Sequence, residues 1–499
     1  MVVSLRRYAT RLSSASLSSV GEYILRFLRT MLLSRLLSPH DLGAAVALLA
    51  ILASCEMITD IGLDKFVMVS GTEARAQVVA VARQMAVGRA VLLSLAIALL
   101  APLIARAFGA GEERSAVAWL GLVPLIASFR NWRVVQVQLN YRYGPEAIAN
   151  LGGRLAGLAV LLPTYMVVKD ARLILINLAI EAAVSVLLSY VLVPRERVLS
   201  IDPAVRREAM RFGLPLMANG IGLLALKQLD QIIVSNLFGL SGLAEYSLSL
   251  NLAIIPTSVM QQVGGKIALP FVARAGSAPE GSAQAALIVM LGTMVAAALL
   301  AIPVGLTLDR LVPIAYGPHY QVSTGFAALA MLAAFIRFCR GGPNLILLQH
   351  GRTARLTVGN LITVVGLIIG FLLALRFRNR ESVVAGLVIG DLLSFLLFTH
   401  LIRKHLSIPA MWRHGAVIGT AVAFAAAVLW LDGGAGWLPR GFALVIANLV
   451  IGLDAVFIYR GVIRRYLRPQ AENVAERGAS ERGTVLETSA EILPAGHRI

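Results

Sequence analysis

The stretch SASLSSVGEYILRFLRTMLLSRLL, residues 14–37, is long and apolar enough to cross a bilayer, yet it carries Glu22, Arg26 and Arg29 inside it. A hydrocarbon core about 30 Å thick needs about 20 residues of helix. A charge at its centre costs about 2.5–3.5 kcal/mol on insertion scales. Spaced by four and three residues, the three charges share one helical face. That face is expected to look into a helix bundle or a hydrated path, with the remaining faces free to meet lipid.

The rest of the chain extends the same reading. Of its 499 residues, 58% are hydrophobic and only 14% charged, with a mean hydropathy of +0.78, a balance rare in soluble domains. About fourteen apolar stretches of spanning length recur. In the first half they cover 14–37, 42–63, 86–108, 115–139, 146–168 and 172–193. The second half gives 212–235, 243–266, 284–308, 323–348, 354–375 and 382–402, and 412–432 and 440–460 close the series. The expected fold is therefore an all-α integral membrane protein with about 14 transmembrane helices.

Arg6, Arg7 and Arg11 precede a full-length span with internal charges, which argues against a cleaved signal peptide. With the N-terminus in the cytoplasm, about 24 Lys and Arg fall on inner segments against roughly 10 outside, as the positive-inside rule asks. Both termini are thus expected in the cytoplasm. The cluster Arg376, Arg378 and Arg380 runs against the rule. The net charge of +18 is read as cations at anionic headgroups, notably Arg195, Arg197, Arg206, Arg207 and Arg211, then Arg460, Arg464, Arg465 and Arg468. No basic and aromatic module large enough for nucleic acid is present. The two cysteines, Cys55 and Cys339, lie in expected spans and read as buried free thiols.

The polar, proline-flanked connection from Pro194 to Arg211 divides the spans into two sixes. Six is even, so the halves share an orientation and would form a parallel repeat about the membrane normal. Matches run in order. At an offset of 201, Arg26 falls on Lys227 and Arg29 on Asp230; at 207, Arg130 and Arg133 fall on Arg337 and Arg340; at 210, Asn150-Leu151 falls on Asn360-Leu361 and Glu181 on Asp391. The expected organisation is a six-helix lobe over 1–200, a second over 201–405, an added helix pair over 406–462 and a cytoplasmic tail over 463–499. The tail's Arg, Glu, Gly, Ala and Ser composition predicts disorder.

The run LLSRLLSPHDLG, residues 32–43, followed by Asp60-Ile61-Gly62-Leu63 at the end of the second span, resembles the opening signature of bacterial polysaccharide flippases, the Wzx-type oligosaccharide-lipid transporters. These sit in a wider superfamily with lipid II flippases and multidrug exporters. The resemblance implies two six-helix lobes around a V-shaped cavity in the inner membrane. It also implies a cargo: a polyprenyl-pyrophosphate-linked oligosaccharide moved from the cytoplasmic to the periplasmic leaflet, for lipopolysaccharide O-antigen, capsule or exopolysaccharide. A polysaccharide polymerase or export complex would be the partner, beside the membrane lipids.

A pyrophosphate crossing hydrocarbon needs cations that stay charged when partly dehydrated, and arginine does so while gripping oxygens in pairs. Arg26, Arg29, Lys227, Arg130, Arg133, Arg337 and Arg340 are the expected substrate ligands, with Arg26 first and Glu22 its counter-ion. Each has a structural alternative: Glu22 can bridge to an arginine within its helix, Asp230 can neutralise Lys227, and the doubled arginines can link helices. Asp230, Asp391 and Glu181 are candidates for coupling to a sodium or proton gradient, and Asp60 for capping a helix end. No phosphate-binding loop is present, since Gly264-Gly265-Lys266 lacks the upstream glycine and the hydroxyl. No cofactor is expected. Gly153 and Gly157, Gly366 and Gly370, and Gly386 and Gly390 read as close-packing pairs, and Pro215, Pro256 and Pro303 as kinks. The rival functions are an ion-coupled drug exporter, which would favour acidic and aromatic linings, and a membrane enzyme of glycan polymerisation or ligation. The second finds no His-Glu-x-x-His or Gly-x-Ser-x-Gly pattern here.

Overall fold

The computed structural model describes residues 20–69, 75–138, 143–194, 202–274, 279–349, 353–403, 409–431, 437–458 and 460. The basic segment 195–201, the N-terminal arginines and the tail beyond 460 lie outside the described residues. Among those described, the chain is helical with no strand. The first nine helices are α1 (20–36), α2 (Pro39–Thr59), α3 (Leu63–Val69), α4 (Arg75–Ala107), α5 (Arg114–Leu120), α6 (Leu122–Ser128), α7 (Arg133–Gln138), α8 (Gly144–Tyr165) and α9 (Arg172–Leu192). They are followed by α10 (Pro203–Arg274), α11 (Pro279–Tyr316), α12 (Thr324–Cys339), α13 (Gly341–Gln349), α14 (Thr353–Phe377), α15 (Glu381–Arg403), α16 (Pro409–Leu431) and α17 (Trp437–Ile458).

Eleven helices among the described residues are long and apolar enough to cross a membrane, fewer than the fourteen stretches in the sequence. Three local causes account for the difference. α1 is described only from residue 20. The stretch 115–139 is broken into α5, α6 and α7. The stretches 212–235 and 243–266 join as α10, which turns at Gly239 with φ 72° and ψ −179°. That backbone conformation is open to glycine and strained for a side chain, so one residue does the work expected of a loop.

The Ser-Pro-His-Asp part of the signature is a helix start. Ser38 Oγ accepts from the Asp41 amide at 3.1 Å and Pro39 occupies the first turn, where its missing N–H costs nothing. Asp60 ends α2 and accepts from the Gly62 amide at 2.9 Å, matching the capping role read from sequence.

Backbone contact through glycine holds the helices together. α2 lies along α10: a Cβ on Gly43 would stand 1.8 Å from the Leu240 carbonyl oxygen, one on Gly220 2.1 Å from that of Met57, and one on Gly213 2.7 Å from that of Ile61. Gly366 and Gly370 of α14 meet Gly386 and Gly390 of α15, while Gly153 and Gly157 of α8 meet Glu181, Ser185 and Asn177 of α9. The glycine spacings therefore pack helices, as expected. α16 and α17 lie against α11 and α12, tied by Arg440 to Asp309 at 2.7 Å, and to each other by His414 and Asp454 at 2.6 Å. Cys55 and Cys339 are free thiols.

Candidate functional site

The charges of α1 part company. On a helix turning about 100° per residue, positions 22 and 29 lie within about 20° of each other and position 26 about 40–60° around. Glu22 and Arg29 accordingly face α8 and α9, where Arg29 Nη1 donates to Glu181 Oε2 at 2.8 Å. Arg154 of α8 stands between the two acids, 3.4 Å from Glu22 and 3.4 Å from Glu181. Two acids and two arginines thus neutralise one another among α1, α8 and α9. The pairing of Glu22 with Arg26 expected from the helix is replaced by Glu22 with Arg154.

A second cluster occupies the other half. Asp391 of α15 is fully buried and accepts from Arg337 Nε at 3.0 Å and from Arg340 Nη1 at 2.8 Å. Arg340 also donates to Thr363 Oγ1 of α14 at 2.6 Å. Both oxygens of Asp391 are therefore occupied. Glu181 and Asp391, 210 residues apart, each hold two arginines, but the arginines come from α1 and α8 in one case and from the end of α12 in the other. Asp230 of α10 is buried, accepts from the Tyr246 hydroxyl at 3.0 Å, and leaves Oδ1 with no hydrogen-bond partner.

The doubled Arg-x-x-Arg is not inside a continuous span in the first half. Arg130 and Arg133 flank the break between α6 and α7, which Asn131 stitches to the end of α9 through the Ser189 and Val193 carbonyls at 3.3 and 2.7 Å. Arg130 pairs with Asp64 of α3 and lies 4.5 Å from the Trp132 ring centroid; Arg133 donates to the Pro194 carbonyl at 3.1 Å.

Two of the seven expected substrate cations are left over. Arg26 is exposed, 5.7 Å from the centroid of its own helix's Tyr23, and no carboxylate among the described residues pairs with it. Lys227 of α10 is likewise exposed and without an ion-pair partner among the described residues. Asp230, three residues on, turns to Tyr246 instead. Arg154 was missed in the sequence although a charge inside the apolar stretch 146–168 is itself a signal. Among the described residues no group of three or more His, Cys, Asp or Glu could hold a metal ion.

Residues 32–324, more than half of the chain, match the family model described as "Polysaccharide biosynthesis protein". No curated protein matches in sequence. Among solved structures, the chain is similar to the lipid II flippase MurJ in an inward closed conformation, with a TM-score of 0.64 and 11% identity over 90% of this chain and 99% of that one. It is also similar to an inward-facing multidrug resistance MATE family transporter of the MOP superfamily, with a TM-score of 0.53 and 13% identity over 79% and 96% of the two chains. A crystal structure of a MATE mutant gives 0.54 and 14% over 81% and 96%. At these identities the likeness is one of fold.

Proposed function

The chain belongs to the polysaccharide biosynthesis protein family, and we propose that it translocates a polyprenyl-pyrophosphate-linked oligosaccharide from the cytoplasmic to the periplasmic leaflet of a bacterial inner membrane. The cargo serves surface polysaccharide, whether O-antigen, capsule or exopolysaccharide, and a polymerase or export complex receives it. Both termini lie in the cytoplasm, and the two halves alternate access to the cargo without covalent chemistry.

The observation that carries this reading is the division of the intramembrane cations. Arg29, Arg154, Arg337 and Arg340 are bound to acids, which supports a structural role for them. Arg26 and Lys227 are exposed, without an acid partner among the described residues, and matched between the halves at the offset of 201. An unpaired cation in a spanning helix is costly, and a polyanion that visits both halves compensates it. Arg26 grips the pyrophosphate through two N–H donors and Lys227 adds a point charge. Among the three candidate acids, Asp230 is the coupling residue for a sodium ion or proton, because its Oδ1 is unclaimed while Glu181 and Asp391 are held by arginines.

The test is glycan export in the source bacterium. Deleting the gene removes the surface glycan and the wild-type gene restores it. Arg26→Ala, at normal protein level and insertion, lowers export at least about tenfold, or about 1.4 kcal/mol, and Arg26→Lys retains part of it. Full export by a stably inserted Arg26→Ala protein would overturn the assignment.

A further inference from the structure

A separate polar pocket of about 410 Å³ lies between α2, α4 and the α6–α7 break, lined by Glu56, Asp60, Asp64, Arg89, Arg130 and Trp132 among others. Its size is in the range of small-ligand clefts, about 300–1,000 Å³. Glu56 sits in a helix of spanning length and is exposed, and its carboxylate has neither a hydrogen-bond donor nor an ion-pair partner among the described residues. Around it the other groups are held in place. Arg89 donates through Nη1 to the Thr59 carbonyl at 3.2 Å, Asp60 is fixed by the Gly62 amide at 2.9 Å, and Arg130 is bound by Asp64 against Trp132. Two N–H donors of the pocket residues, Arg89 Nε and Trp132 Nε1, are buried without an acceptor.

We propose that this pocket is a saccharide subsite, holding a sugar ring of the glycan headgroup; the proposal rests on the transport reading above. The charge balance selects the ligand class. Three carboxylates against two guanidiniums leave a pocket that repels a pyrophosphate yet offers charged donors as well as acceptors. A ring of vicinal hydroxyls suits both signs, since each hydroxyl donates to a carboxylate and accepts from a guanidinium. Glu56, which feels the charge of Arg89 but accepts no hydrogen bond on its carboxylate among the described residues, is the acceptor for a hydroxyl pair. The small Ala53, Ala86 and Ala127 at the walls leave the room. Pyrophosphate recognition and sugar recognition thereby fall on different residues of the same protein.

The experiment is saturation-transfer NMR on the purified full chain in detergent, with free glucose, galactose, mannose and N-acetylglucosamine as probes and tetraphenylphosphonium and pyrophosphate as controls. At least one sugar shows transfer. Glu56→Gln weakens its binding about tenfold, the worth of a hydrogen bond to a charged group, and Ala127→Trp abolishes it. Gly222→Ala, where an added Cβ meets nothing within 4 Å, leaves it unchanged. Thermal unfolding of the variants, followed by thiol labelling, must match the wild type; should Ala127→Trp fail to fold, Ala53→Leu serves as the filling variant. Absence of transfer from every sugar, transfer that survives filling, or binding of the organic cation in place of sugars would overturn the subsite. Pocket-dependent sugar binding in a chain whose deletion leaves surface glycan intact would sink the transport reading and spare the subsite. Glycan export with no pocket-dependent sugar binding would do the reverse.

Discussion

Replacing Asp391 with Ala is expected to cost about 3–5 kcal/mol of stability, the range for removing one partner of a buried ion pair and leaving the other uncompensated. Asp391 is fully buried, and both its oxygens are occupied by Arg337 and Arg340, whose side chains are 30% and 15% exposed. Without the acid, two guanidiniums of like charge face each other at the junction of α12, α14 and α15, where Arg340 still donates to Thr363. Arg340→Met alone should cost less, because Asp391 keeps Arg337. The buried Cys339 thiol beside Arg340 provides the readout: reaction with a thiol dye on heating should begin well below the wild-type temperature in Asp391→Ala. An unchanged midpoint would show that the cluster contributes nothing to folding.

Gly220→Ala is the second large effect, expected at about 3 kcal/mol, the upper end for overpacking. Its Cβ would stand 2.1 Å from the Met57 carbonyl oxygen, and backbone on both sides cannot turn away as a side chain could. Two residues on, Gly222 has nothing within 4 Å of an added Cβ. Gly222→Ala should therefore be neutral or stabilising by up to about 1 kcal/mol, from helix propensity alone. The pair separates contact from propensity on one helix. Equal midpoints for the two variants in thermal unfolding would mean that α2 and α10 are not in backbone contact.

Much of this was legible before any coordinates. The composition and the recurrence of spanning stretches carry the all-helical membrane fold, because apolar length answers directly to bilayer thickness. Glu181 and Asp391, matched in sequence at an offset of 210, each hold two arginines. Which arginines they hold was not legible, since Arg29 reaches Glu181 across 152 positions of sequence and helical spacing reports only neighbours on the same helix. The same limit misassigned Glu22, whose partner Arg154 lies 132 positions away. The residues around Gly239 looked like a loop because they separate two apolar stretches. A single glycine with non-helical backbone breaks α10 into two helices at a kink there, and hydropathy does not register φ. The exposure of Arg26 was not legible either, since the spacing places the three charges on one face and only the contacts of Glu22 and Arg29 with α8 and α9 turn Arg26 aside.

One contact at the far end of α1 bears on how such a protein can move. Arg35 donates from Nε to the Ala315 carbonyl at 3.2 Å and from Nη2 to that of Ile314 at 2.6 Å, satisfying acceptors left open where α11 ends, and Phe27 meets Tyr316 edge-on at 6.0 Å. Six residues earlier Arg29 is fastened to α9. α1 is thus moored at both banks, like a rope bridge. Any parting of the halves along this side must slip the mooring at Arg35 or bend the helix between it and Arg29, and Arg26 rides on the same rope.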